Sequence, residues 1–157
     1  MSSSEATPQD GSRGVRATTT IIVCETCGYN AEQPDEVRPG KRLGDALAEA
    51  LEARRQAAEQ AGDTEAAVAL ASLEVRAFRC LMACKRSCTA QFRGAGKIGY
   101  TVGDMQPDQA SVETLLAYGF RYQASPTGEV PFKQWPSGIR GRFVARFPVL
   151  PFPDIDE

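Results

Sequence analysis

Two β-branched runs of this chain each lead straight into a cysteine, and an amphipathic helix lies between them. The first run is "ATTTIIV" (17–23), followed by Cys24; the second is "LEVRAFR" (73–79), followed by Cys80. Runs of this kind read as strands, because branched side chains suit a pleated, half-buried surface. The intervening "KRLGDALAEALEARRQAAEQAG" (41–62) repeats Leu43, Ala46, Leu47, Ala50 and Leu51 at spacings of three and four, which draws one apolar stripe along a helix. Strand, helix and strand in this order predict a parallel pair joined by a right-handed crossover. Parallel neighbours end at the same edge of the sheet. Cys24 and Cys80 are therefore expected side by side, with their loops sharing one pocket, where open α/β sheets place ligands.

The rest of the chain fits around that unit. Gly62 closes the first helix, and "DTEAAVALAS" (63–72) predicts a short second one with Asp63 as its cap. "TAQFR" (89–93) and "KIGYTVG" (97–103) predict a hairpin across "GAG". "QPDQASVETLLAYG" (106–119) predicts a helix with Pro107 near its first turn, Val112, Leu115 and Leu116 toward the core, and Gly119 as its stop. Residues 1–16 are polar and read as a disordered tail. Residues 121–157, rich in proline and aromatics, read as an extended arm packed on the domain. The expectation is one α/β domain over 17–120, thioredoxin-like, with a small mixed sheet flanked by helices.

The chemistry is concentrated in sulfur. The chain of 157 residues has five cysteines and no histidine. The cysteines fall in two sets, Cys24 with Cys27 and Cys80 with Cys84 and Cys88, spaced CxxC and CxxxCxxxC. Cysteines that serve only as small buried hydrophobes do not produce such spacing. No apolar run of about 18 residues exists, so no membrane span is expected. The N-terminus has no apolar core of a signal peptide, and a cytoplasmic location is expected. In a reducing compartment structural disulfides are rare, and clustered thiols point to metal binding or redox work. A net charge of −2 argues against nucleic acid as the main partner.

Four converging thiolates suit zinc or an iron–sulfur cluster, and the lack of histidine removes mixed zinc and Rieske-type sites. Arg79, Lys85 and Arg86 flank the second set and are expected to favour thiolate there. The rival is a thiol–disulfide oxidoreductase using Cys24 and Cys27. Against it, "GYNAEQPDEVRPG" after Cys27 does not read as a helix start that would activate the first thiol. "GAGKIG" lacks the phosphate-loop pattern, and without histidine there is no Ser/His or Cys/His nucleophile pair. The acidic residues read as solvated helix faces. Trp135, Phe132, Phe143 and Phe147 read as covering aromatics ahead of a docking stripe.

At "CETC" and "CLMACKRSC" the chain resembles a bacterial family of predicted metal-binding proteins, a domain of unknown function. The likeness continues through "KIGYTVGDM", "LLAY", "SPTGEVPF" and "ARFPVLP", and covers about residues 18–152. The cysteine pattern is also similar to that of thioredoxin-like [2Fe–2S] ferredoxins. That resemblance implies a [2Fe–2S] cluster held by Cys24, Cys27, Cys80 and Cys84, with Cys88 as an alternative ligand, since the first pair is closer here than in those ferredoxins. It further implies an electron carrier in place of an enzyme, a redox partner protein, and pairing of two copies. Zinc on four cysteines is the alternative cofactor.

Overall fold

The computed structural model describes residues 19–28 and 30–149. Its elements run β1 (Thr19–Cys24), α1 (Pro39–Ala61), α2 (Thr64–Ala71), β2 (Leu73–Phe78), β3 (Ala90–Gly94), β4 (Gly99–Val102), α3 (Gln109–Ala124) and β5 (Phe143–Phe147). They form an α/β fold around one five-stranded mixed sheet in the order β2-β1-β3-β4-β5. β1 and β2 are parallel, as the crossover rule requires. β3 pairs antiparallel with β1 and with β4, so 90–102 is the expected hairpin.

α1 and α3 share one face of the sheet. Gly44 of α1 lies over Val23, and Gly119 of α3 lies over Ile21 and Phe92. Ile21, Val23, Leu43, Leu47, Leu73, Phe92, Leu115 and Leu116 are fully buried between these layers. Asp63 caps α2 by accepting from the Ala66 amide, and Gly62 closes α1 in the left-handed conformation. Among the described residues, no helix is long and apolar enough to cross a membrane.

The third helix and the C-terminal segment differ from the sequence reading. α3 runs past Gly119 to Ala124, with Asp108 as its cap. Gly119 is a packing residue and not a stop: a Cβ there would come within 3.0 Å of Ile21 Cδ1. The segment read as an extended arm supplies β5, which pairs antiparallel with β4 at the sheet edge. Trp135 and Phe143 do cover the core, with ring centroids 4.8 Å apart and Phe143 5.6 Å from Tyr118. The expected tail, 1–16, and the end of the arm, 150–157, lie outside the described residues.

Candidate metal centre

The first cysteine pair sits in a turn that closes the C-terminal end of β1. The Cys27 amide donates to the Cys24 carbonyl at 3.4 Å, and Gly28, at φ 85°, takes the chain out of the turn. The loop then folds back. A Cβ on Gly28 would lie 2.6 Å from Pro39, and the Gly40 amide donates to the Cys27 carbonyl at 3.2 Å. Arg38 Nη1 donates to the Thr26 carbonyl at 3.0 Å. The N-terminus of α1 therefore abuts the CxxC turn. Sequence reading missed this, because the residues directly after Cys27 are a loop and the helix begins only at Pro39, twelve residues further on.

The second set is delivered by the loop after β2. Phe78 is the register partner of Cys24, so Cys80 lies two residues beyond it. The Glu25 amide donates to the Phe78 carbonyl at 2.9 Å, and the Thr26 hydroxyl donates to the Arg79 carbonyl. The Cys24 thiol also reaches the Arg79 carbonyl, at 3.9 Å. After a short 3-10 turn over Cys84–Arg86 the chain returns to the sheet. There Cys88 and Met105 exchange backbone hydrogen bonds at 3.1 Å each, and the Thr89 carbonyl accepts from the Cys24 amide at 3.1 Å.

Three of the five sulfurs are buried: Cys24, Cys27 and Cys88, at 1%, 3% and 4% exposure. Cys80 is half-buried and Cys84 exposed. Among the described residues, no three cysteine, aspartate or glutamate side chains are placed so that they could hold a metal ion together. Cys24 and Cys27 bear on each other's acidity, and a charge on Cys24 bears on Cys88.

Their acidities divide accordingly. Burial raises Cys24, but hydrogen bonding outweighs it, the Thr26 side chain above all, and holds it below the ordinary thiol range. Burial pushes Cys27 up to about 11, against the Thr89 hydroxyl at 3.4 Å, and a charge on Cys24 pushes it further. Burial also raises Cys88, and the Arg42 guanidinium partly offsets it. Among the three buried thiols, the first negative charge thus settles on Cys24.

A cation acting on the Cys88 sulfur is Arg42, from the first turns of α1, which no sequence spacing indicates. Arg86, one of the three expected flanking cations, binds Asp104 instead, with Nε at 2.7 Å and Nη2 at 2.6 Å from Oδ2. Thr26 and Thr89 also escaped the sequence reading, although each adjoins a cysteine.

The donor set is chemically apt for a thiophilic metal: soft sulfur ligands, amide and hydroxyl donors aimed at them, and a guanidinium against the negative charge. Fold and site together define a small α/β protein with a sulfur centre at the ends of two parallel strands. The chain matches the family described as "Protein of unknown function (DUF1636)" over residues 21–149, and it belongs to that family. No curated protein and no solved structure matches it.

Proposed function

We propose that this protein binds a metal through cysteine thiolates and carries single electrons by means of a [2Fe–2S] cluster. The observation that carries the reading is the burial of Cys24, Cys27 and Cys88 at one end of the sheet, with the Thr26 hydroxyl 3.6 Å from the Cys24 sulfur and the Thr89 hydroxyl 3.4 Å from the Cys27 sulfur. Thiols placed in a core only for packing do not need donors aimed at their sulfurs. Cys24 and Cys27 supply two ligands, Cys88 a third, and Cys80 or Cys84 the fourth from the rim of the loop. When bound, the cluster supplies a one-electron couple whose potential follows burial and hydrogen bonding to sulfur.

The protein's own residues set that environment. The Thr26 and Thr89 side chains favour charge on the Cys24 and Cys27 sulfurs, and the Arg42 guanidinium favours it on Cys88. The order β2-β1-β3-β4, with β1 parallel to β2, supports the thioredoxin-like reading of the fold. Zinc on the same four thiolates is the alternative occupant. The split between a lowered Cys24 and a raised Cys27 favours a second reading, a dithiol oxidoreductase. The burial of Cys24 stands against it, because a substrate disulfide must reach the attacking sulfur.

Protein made and purified without oxygen tests the proposal. The expected result is about two irons and two acid-labile sulfides per chain, with a visible spectrum bleached by reduction. Stoichiometric zinc without sulfide moves the assignment to zinc. No bound metal, even after reconstitution, overturns both.

A further inference from the structure

β2 is an edge strand of the sheet, and two large apolar side chains stand in water at its end: Phe78, 54% exposed, and Met82, 85% exposed. Phe78 is the register partner of Cys24, so it lies one strand spacing, about 4.8 Å, from the residue of a buried thiol. Single exposed apolar residues are ordinary on a protein surface. Phe132 is one that the fold covers in part, with Trp135 against its ring at 4.9 Å and the Arg140 guanidinium over it at 4.8 Å. Phe78 and Met82 differ in being paired along one short segment and in the charge around them. Residues 75–86 hold four cations, Arg76, Arg79, Lys85 and Arg86, and no acid, in a chain whose net charge is −2. Glu74 pairs with Arg76, and Asp104 with Arg86. Arg79 and Lys85 are exposed and enter no ion pair among the described residues. Glu25, whose amide donates to the Phe78 carbonyl, adds one half-buried acid, so the uncompensated charge is positive.

We propose that Phe78 and Met82, with Arg79 and Lys85, form the docking surface for a protein partner that presents carboxylates around an apolar spot. Aromatic, methionine and arginine side chains are those enriched at protein interfaces. Local positive charge on a chain of negative net charge attracts and orients an acidic partner over a basic one. The apolar pair supplies the area that leaves water on contact, and the unbranched Met82 adapts to the partner's shape. Because Phe78 neighbours Cys24, a partner seated here lies against the sulfur centre. That it exchanges electrons there rests on the cluster reading; the surface itself stands on exposure and charge.

Nitrogen-15 amide spectra of the full metal-free chain test this, with two probe proteins added in turn, an acidic flavodoxin and basic cytochrome c. The net charge of the chain alone favours cytochrome c, whereas the proposed surface favours the flavodoxin. The expected result is flavodoxin-induced shifts centred on residues 76–86, fading as added salt screens the pair. Arg79→Glu combined with Lys85→Glu is expected to weaken that binding ~10-fold or more at low salt. Phe78→Ser is expected to weaken it several-fold and to keep its salt dependence. These side chains are exposed, and unshifted signals from the rest of the chain report that the fold is kept. Flavodoxin shifts that are absent, lie away from 76–86, or survive the charge reversal overturn the surface. Iron and sulfide content of the anaerobic protein reports on the cluster separately: a chain that binds flavodoxin at 76–86 but takes up no iron keeps the docking surface and loses the electron-transfer role.

Discussion

Gly40 and Cys24 touch backbone to backbone: a Cβ on Gly40 would lie 2.1 Å from the Cys24 carbonyl oxygen and 3.0 Å from Cys27 Cβ. The start of α1 and the CxxC turn can come this close only because Gly40 has no side chain. Gly40→Ala is expected to cost about 1–3 kcal/mol, the usual range for overpacking. The clash is with backbone, which has little freedom to give way. Urea unfolding of the metal-free chain measures the loss, and an unchanged midpoint contradicts the contact.

Burial divides the thiols into two classes. An aromatic disulfide reagent added to the native metal-free chain is expected to react quickly with Cys84 and more slowly with Cys80. Cys24, Cys27 and Cys88 are expected to react only as the chain opens. Peptide mapping of the labelled chain identifies the order. Labelling of Cys24 at the rate of Cys84 contradicts the burial described here and revives the dithiol reading.

Thiol and phenol acidities set the dependence of stability on pH. Cys27 is raised to about 11 and Tyr122 to about 12, both with burial as the largest cause. A raised group contributes stability that is complete below its unfolded value, about 8.5 for a thiol and 10 for a phenol, and lost as pH rises through the folded value. Cys24 is lowered and acts in the opposite sense, its contribution fading as pH falls through its folded value. The metal-free chain is therefore expected to be most stable near the ordinary thiol range. Its stability then falls by up to about 1.4 kcal/mol per pH unit per group above it. Urea midpoints at neutral, mildly alkaline and strongly alkaline pH test this. A midpoint still rising above about pH 10 contradicts it.

Arg86 and Asp104 tie the cysteine loop to the end of β4. Besides the ion pair, the Asp104 amide donates to the Arg86 carbonyl at 2.6 Å, and Arg86 Nη2 donates to the Gly141 carbonyl at 3.2 Å. Both side chains are partly exposed, so Asp104→Asn, which removes the charge and keeps a residue tolerant of the left-handed backbone at φ 59°, is expected to move the unfolding midpoint little. The effect falls on the loop, where labelling of Cys88 is expected to become several-fold faster. An unaltered labelling rate contradicts a positioning role for the pair.

The strand–helix–strand unit and the hairpin were legible because they rest on periodicity. Leu43, Leu47 and Leu51 are buried where their spacing placed them, and Asp63 caps α2 as its position suggests. Gly119 misled because glycine serves two ends, stopping a helix and letting one approach a neighbour, and only the location of Ile21 decides between them. β5 was hidden by prolines on both sides of a short edge strand. At the site, the shared edge of β1 and β2 followed from chain order. Arg42 and the α1 terminus did not, because they arrive through a loop whose return path hangs on the fit of Gly28 against Pro39. The exposure of Met82 carried no sequence signal, since an apolar side chain ordinarily reads as core.

The central claim is that thiolates from both cysteine segments share one metal centre. Titrating the metal-free chain with Co(II) under anaerobic conditions tests it most directly, because the sulfur-to-metal charge-transfer intensity, calibrated on a four-thiolate standard, counts bound sulfurs. The account predicts a four-thiolate intensity that drops when Cys24 is replaced by serine and drops again when Cys88 is replaced as well. A two-thiolate intensity, indifferent to Cys80, Cys84 and Cys88, would contradict it.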